Sequence, residues 1–334
     1  MRYQRATLAD LPRFRGEWAV TLGTFDGVHR GHAAVLEALT RAARRNGTTG
    51  SCAVTFDPHP RAVLARGPAP ELLTTLDERA VLLEASGIDA LVVLGFDDRL
   101  AALPFENFVR EVLRDHLRMT HFVLGHDVHF GQGRGGNAHT VRAIAPRSGF
   151  GVEEVDSLSL DGAPVSSTRI RRALLEGDFE HAVELLGHPY LFVSRVVRGR
   201  GLGRELGFAT ANLALAPERL RPALGVYGGW VRWEPGGAWI PAIANVGRGP
   251  TVAAGDPPRV EVHVPGHEVD LYDRRLELAL AVRMRPEVRF PGLEALRTAI
   301  GHDVESLPAR LAGVGEWGRP ERVDRLGPPG PAAC

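Results

Sequence analysis

The 334-residue sequence predicts a doubly wound α/β domain followed by a small antiparallel β-barrel with a C-terminal helix. Three observations carry that expectation. From Val20 to about Gly187, strand-like apolar runs alternate with helical patterns, which is how a parallel sheet wrapped by helices reads in sequence. After Gly187 short alternating strands succeed one another with Gly- and Pro-rich turns, as a small barrel requires. A last helical stretch, roughly 291–312, places Leu293, Leu296, Ile300, Leu307 and Leu311 on an apolar stripe.

In the first half, strands are expected at 20–25, 51–56, 90–95, 121–125 and about 152–156. The helix after the first strand buries Val35, Leu36, Leu39, Ala42 and Ala43 and stops at Asn46-Gly47. A helix over 76–86 opens on a capping box, Thr75 with Glu78, and one over 105–118 turns Phe108, Val109, Val112 and Leu113 inward. Two short helices close this half, one after Ser166-Ser167-Thr168 and one starting near Asp178. The barrel strands are expected at 192–197, 226–233, 239–245, 259–264 and 275–284. Domains of 1–186 and 187–315 follow, with a Pro-, Gly- and Arg-rich tail, 316–334, whose composition predicts disorder.

Composition removes several function classes. Basic and acidic residues balance at 40 each, so charge makes no case for a nucleic-acid or membrane partner. Two cysteines, Cys52 and Cys334, make no disulfide framework, and the polar, arginine-rich start carries no leader pattern; a cytoplasmic setting is expected. The chain has no lysine, which excludes a P-loop and Schiff-base chemistry. Phosphate must be handled by arginine, histidine, backbone N–H groups and metal.

The segment Thr24 to His32 contains His-x-Gly-His (His29, Gly31, His32) where the first strand gives way to a helix. A helix N-terminus offers unpaired N–H groups and partial positive charge, glycines such as Gly27 and Gly31 let a phosphate approach, and imidazoles can donate to developing charge. The plain alternative is a polar connecting loop. Asp127, in Gly125-His126-Asp127-Val128-His129-Phe130-Gly131, ends the fourth strand where it can touch substrate, though the glycines there also suit a flexible loop. Ser166, Ser167 and Thr168, with Arg171 one turn in, suit a triphosphate; equally, Ser and Thr are ordinary N-caps. In the second half Gly199, Gly201, Gly203-Arg204 and Gly207 to Asn212 form another glycine-rich loop, with Thr210 and Asn212 supplying oxygens suited to Mg²⁺. Glu261, on an alternating strand, is either a solvent-facing carboxylate or a base for a hydroxyl nucleophile, and the sequence leaves both open.

In this order the segments resemble the bacterial bifunctional riboflavin kinase/FAD synthetase family, from about residue 18 to 312. The resemblance implies a Rossmann-like nucleotidylyltransferase domain that transfers AMP from ATP to FMN, followed by a barrel that phosphorylates riboflavin. It implies that His29 and His32 stabilise the reacting α-phosphate, with Gly27, Gly31, Ser166, Ser167, Thr168 and Arg171 around ATP. In the barrel it implies Gly199, Gly203 and Thr210 for ATP phosphates, Thr210 and Asn212 for Mg²⁺, and Glu261 as general base. Asp127, Asn245 and Arg285 fall to the flavin; Asn245-Val246-Gly247 with Pro250-Thr251, and Arg285-Pro286-Glu287 with Phe290, match further signature segments. Implied partners are ATP, riboflavin, FMN and FAD, with no nucleic acid and no membrane; oligomeric state is left open.

The chain departs from the family pattern at four places. Ala209 replaces a proline before Thr210, Ser194 and Asp273 replace glycines, and Val128 replaces an aromatic residue. An alanine does not fix φ as proline does, so a looser loop under Thr210 and Asn212 is expected. Two rivals follow: a monofunctional FMN adenylyltransferase with an inactive flavin-binding barrel, and a non-catalytic flavin carrier.

Overall fold

Six parallel strands form the first sheet, in the order β1-β4-β3-β2-β5-β6. They are β1 (Arg2–Ala6), β2 (Trp18–Leu22), β3 (Gly50–Asp57), β4 (Ala90–Gly95), β5 (Met119–Gly125) and β6 (Gly151–Val155). The computed structural model describes residues 1–64, 70–199, 203, 206–234, 236–248, 258–267 and 269–326. β2, β3 and β4 are nearly all buried, which is why they read as continuous apolar runs: helices cover both faces of a parallel sheet. The sheet's core gathers Val20, Leu22, Val54, Val92, Leu94, Phe122 and Leu124.

Helix α1 (Arg30–Arg45) buries the five expected residues and Ala38, and ends on Asn46. α2 (Pro60–Leu64) is a single exposed turn. α3 (Leu76–Ala85) opens on the expected capping box: the Thr75 N–H donates to Glu78 Oε2 at 2.8 Å, and the Glu78 N–H to Thr75 Oγ1 at 3.3 Å. After a short α4 (Asp98–Ala101), the helix expected at 105–118 starts as α5 (Phe105–Asn107) and widens into a π-helix over Phe108–His116. Its apolar face is as read, with Phe108, Val109, Val112 and Leu113 buried. α6 (Ala138–Ser148) follows the glycine-rich segment.

The first strand departs from its expected bounds. β2 starts at Trp18 and stops at Leu22, because Phe25 takes φ 48° and turns its ring into the core. β1 was not expected: Arg2, Tyr3, Gln4 and Arg5 are largely exposed at a sheet edge, so only Ala6 carries an apolar signal.

The chain divides into two compact units: one holds Met1–Pro70, Arg79–Val165 and the C-terminal residues from Arg325, the other Glu71–Glu78 and Ser166–Asp324. After the two-stranded β7 (Ser159–Leu160) and β8 (Ala163–Pro164), the second unit opens with α7 (Ser167–Glu176) and α8 (Phe179–Leu186). It continues with β9 (Tyr190–Val197), β10 (Thr210–Leu213), β11 (Gly225–Arg232), β12 (Ile240–Gly247), β13 (Arg259–His263) and β14 (Arg275–Pro286). These six strands close into an antiparallel barrel in the order β10-β13-β12-β11-β14-β9. β10 falls where the sequence predicts a loop, since its glycine-rich approach hides a four-residue strand.

α9 (Leu293–Ala312) packs Leu307 and Leu311 against Val226, Ile243 and Met284. Leu296 and Ile300 are half-buried, and Leu293, placed on the stripe by the sequence, is 55% exposed because it sits in the helix's open first turn. The stretch from residue 316, expected to be unstructured, is ordered to Leu326. A 3₁₀ turn (Glu316–Gly318) and α10 (Glu321–Asp324) form because tail residues find partners. Val323 is buried, Arg322 lies over the Trp317 ring, and Asp324 accepts from Arg232 at 2.6 Å and from the Trp239 indole at 2.9 Å. Residues 327–334 lie outside the described residues.

A fully buried ion pair anchors the second unit. Arg219 Nε donates to Glu78 Oε2 at 2.6 Å, Nη2 to the Leu191 carbonyl at 2.6 Å, and the guanidinium lies over the rings of both Tyr190 and Phe192. Glu78 Oε1 accepts the Val193 N–H at 3.0 Å. Burial pushes the Glu78 carboxyl up, and Arg219 with these N–H donors pulls it back. Removing one member strands the other charge without water, at a cost of about 3–5 kcal/mol. Arg219→Ala is therefore expected to lower the urea midpoint followed by tryptophan fluorescence; an unchanged midpoint would refute the anchor.

Candidate functional sites in the two units

In the first unit β2 is the switch point of the sheet: β3, β4 and β1 lie to one side of it, β5 and β6 to the other. Ligands of doubly wound sheets bind outside the carboxyl ends of the strands at such a crevice. The two segments singled out in sequence leave from here, Thr24–His32 after β2 and the Gly125–Gly131 stretch from the end of β5.

Between β2 and α1 the chain turns through residues of positive φ: Phe25 at 48°, Gly27 at 84° and Val28 at 39°. Gly27 occupies a region that side chains resist. The turn buries Phe25, Asp26 and Val28 and delivers His29 as the N-cap of α1. The His32 backbone N–H donates to His29 Nδ1 at 3.3 Å. With Nδ1 accepting, the neutral His29 ring carries its proton on Nε2, where it is a donor. The His29 and His32 rings stack with centroids 3.6 Å apart, and Phe25 meets His32 edge-on at 5.3 Å. Burial first, and the charge of Arg79 second, push the His32 imidazole down to about 3, so it is uncharged at neutral pH. A side chain on Gly31 would start 3.2 Å from His29 Nδ1 and 3.7 Å from the Val165 carbonyl, so the glycine leaves this space open.

Asp127 is exposed just beyond β5. Its loop is held by the His126 N–H to the Val155 carbonyl at 2.9 Å and by the Val128 N–H to the Gly125 carbonyl at 3.1 Å. Val128 packs on the sheet core in place of the expected aromatic residue. Ser166, Ser167, Thr168 and Arg171 belong to the second unit. Ser166 is the N-cap of α7 and accepts the Arg169 N–H at 3.3 Å, while Arg171 Nε donates to the Glu71 carbonyl at 2.7 Å. The capping role is thus filled, and Ser167 and Thr168 occupy the first turn.

The barrel brings its singled-out residues onto one rung. Asn212 of β10 pairs with Glu261 of β13, Glu261 with Asn245 of β12, Asn245 with Val226 of β11, and Val226 with Arg285 of β14. Directly paired residues share a face, so Asn212, Glu261 and Asn245 stand side by side. The β11–β14 register shifts beside Val226, a bulge that re-aims the strand at Arg285. Arg285 is held by Asp303 of α9 through Nε to Oδ1 at 3.0 Å and Nη2 to Oδ2 at 2.8 Å, with its guanidinium over Phe290.

Thr210 and Asn212 are two apart on β10 and so point the same way. Two glycines face them: a Cβ on Gly203 would come 3.1 Å from Thr210 Oγ1, and one on Gly199 would strike the Asn212 amide. That cradle and the hard oxygen donors fit Mg²⁺ carried with a nucleotide. The departures are accommodated locally. His263 Nδ1 hydrogen-bonds the Ala209 carbonyl at 2.9 Å, tying the loop that lacks its proline. Ser194 Oγ donates to the Ala214 carbonyl at 2.9 Å, and Asp273 takes φ 61°, a region acidic residues tolerate better than most. Gly201, Arg204, Pro250 and Thr251 lie outside the described residues.

Two charged residues near these groups carry no local signal in the sequence. Arg79 is 3% exposed, and Nη1 donates to Thr55 Oγ1 at 3.2 Å at the end of β3. Asp303 is 5% exposed beneath Arg285. Leu-Asp-Glu-Arg and His-Asp-Val-Glu read as polar helix turns, and nothing local marks either residue.

Two unlike units, each presenting a polar set where a phosphate donor can be held, describe a two-site nucleotide-dependent transferase. The FAD synthetase family matches residues 12–169 and the riboflavin kinase family residues 186–311. The bifunctional riboflavin kinase/FMN adenylyltransferase of Pseudomonas fluorescens is 41% identical over 301 residues, covering 90% of this chain and 95% of that protein. Its counterpart in Escherichia coli K12 is 37% identical over 284 residues, covering 85% and 90%. A crystal structure described as a macrolide-efflux protein from Streptococcus pneumoniae superimposes with a TM-score of 0.79 at 26% identity, covering 92% of this chain and 99% of that one. The chain belongs to the bifunctional riboflavin kinase/FMN adenylyltransferase family.

Proposed function

We propose that the chain runs the family's two reactions in succession, one on each family module, with the residues assigned below. In the barrel, Glu261 takes the proton of the ribityl hydroxyl of riboflavin; its oxygen bonds to the γ-phosphorus of ATP as the bond to the β-phosphate oxygen breaks, giving FMN and ADP. Asn212 and Asn245 flank the base, and Arg285, fixed by Asp303, holds the flavin. Thr210 and Asn212 would hold Mg²⁺, and Gly199 and Gly203, which lie close against Asn212 and Thr210, are assigned to the ATP phosphates. When bound, the ion neutralises phosphate charge.

In the FAD synthetase module a phosphate oxygen of FMN attacks the α-phosphorus of a second ATP, and pyrophosphate leaves. That nucleophile is already anionic at neutral pH, so no base is needed; positioning and charge stabilisation suffice. His29 and His32 serve the α-phosphate, with Gly27 and Gly31 leaving it space. By the family resemblance Ser166, Ser167, Thr168 and Arg171 are assigned to ATP phosphates, and Asp127 to the flavin. The functional modules are taken as 1–186 and 187–315, the riboflavin kinase match beginning at 186. A cytoplasmic setting agrees with the cysteine usage, and no helix among the described residues is long and apolar enough to cross a membrane.

One observation carries the two-reaction reading against an inactive barrel: Asn212, Glu261, Asn245 and Arg285 share a rung although they lie on four separate strands. Incubation with riboflavin, ATP and Mg²⁺ is expected to yield FMN, then FAD, on chromatography. FAD from supplied FMN, with no FMN from riboflavin, would instead establish the monofunctional rival.

A further inference from the structure

Behind the histidine pair lies a cation to which neither reaction assigns a role. Arg79 of α3 is 3% exposed, and its Nη1 donates to Thr55 Oγ1 at 3.2 Å and to the Phe56 carbonyl at 3.4 Å. Thr55 Oγ1 donates in turn to the Thr24 carbonyl at 3.2 Å. A relay therefore runs from the guanidinium through the end of β3 into the loop that delivers His29. The Gly23 N–H, bound to the Val54 carbonyl at 3.0 Å, fastens the same loop one residue earlier.

The guanidinium also acts on His32. That ring is clamped between His29 and the edge of Phe25, and its Nδ1 is buried with no hydrogen-bond partner. Among the described residues, His29 stacks on its face and the charge of Arg79 acts on it; Asp26 is buried in the same loop. Burying a permanent charge is costly, and an apolar side chain would fill the space at less expense. Beneath a crevice that must receive a polyanion, a fixed positive charge has a use that packing does not explain.

We propose that Arg79 is a positioning residue for adenylyl transfer, a buried cation that ties the histidine-bearing loop to β3 and gives the crevice a fixed positive charge. The inference rests on the adenylyl-transfer reading of His29 and His32. In it His32 stays an uncharged imidazole because burial first, and the charge of Arg79 second, disfavour its protonation, and the loop is held in register by the Thr55 relay.

The test uses the full chain with Arg79→Gln, Arg79→Lys and His32→Ala, measuring kcat and KM for FMN adenylylation. Riboflavin phosphorylation is followed in the same preparations, and the His32 ring is titrated by NMR. Arg79→Gln is expected to lower kcat for FAD formation about 10- to 100-fold, the scale of a small misplacement of reacting groups. Phosphorylation should continue, and His32 should titrate at higher pH than in the wild type. Arg79→Lys keeps the charge without the fork; it should leave the His32 titration low and recover part of kcat. An Arg79→Gln enzyme with wild-type kcat and an unmoved His32 titration would overturn the proposal. If Arg79→Gln lost both activities, Arg79→Lys would decide: a slowed FAD step with phosphorylation intact supports the proposal, and a wild-type FAD step overturns it. His32→Ala separates the two levels. If it forms FAD at the wild-type rate, the reading of the histidine site fails; if it is inactive while Arg79→Gln is unimpaired, only the role of Arg79 fails.

Discussion

Glu261→Ala is expected to abolish FMN formation from riboflavin while supplied FMN is still converted to FAD. Glu261 stands between Asn212 and Asn245 on one rung, so its immediate row neighbours are neutral amides that can orient a hydroxyl without titrating. A positioned general base contributes about 10²- to 10⁴-fold to rate, and the ribityl hydroxyl, unlike a phosphate, brings no charge of its own. Glu261→Gln keeps the shape and the hydrogen-bonding reach but cannot take a proton, so it should match alanine in kcat while changing KM for riboflavin little. Chromatography of flavin products, with riboflavin or FMN supplied separately, reads both steps. Loss of both activities in Glu261→Ala would refute the division of labour.

The second large effect is the mirror image. Replacing both His29 and His32 by alanine should stop FAD formation and leave FMN accumulating. A single preorganised donor aimed at transition-state charge is worth about 10²- to 10³-fold, and the two rings act as one stacked unit, so the double variant should lose at least that much. The loss should fall on kcat more than on KM for ATP, because the imidazoles answer charge that grows at the α-phosphate during transfer. Removing the stacked pair, of which His32 meets Phe25, opens space and costs stability, so a circular-dichroism melt should accompany the assay. FAD made at the wild-type rate would show that this crevice is not where the α-phosphate reacts.

Much of the fold was legible because its elements obey local rules. The buried runs of β3 and β4, the amphipathic α1 and the Thr75–Glu78 box each announce themselves within a dozen residues. β1 did not, because an edge strand with four exposed or half-exposed residues gives no apolar run. α6 did not, because its Asn137–Thr140 cap departs from the usual Ser/Thr-x-x-Glu form and Pro146 stands inside it. The stacked His29–His32 pair at the start of α1 was legible as a cluster because its parts are adjacent in sequence. The barrel site was readable only by resemblance: the pairing of Asn212 with Glu261 and of Glu261 with Asn245 is a matter of register across strands, which local pattern does not encode. Arg79 and Asp303 were invisible for a related reason, since a charged residue on a helix reads as solvated until its tertiary neighbours are known.

The Glu78–Arg219 pair has a consequence for the order in which the protein is made. The two residues are 141 positions apart, so a ribosome releases the carboxylate long before the guanidinium that neutralises it. The parallel strands, complete by Val155, can assemble during that interval, while the second unit waits for a segment synthesised far earlier to find its partner. A pause in translation after residue 165 would leave nascent chains holding an acidic side chain destined for a dry interior, exposed to proteases and to chaperones that bind unfinished chains.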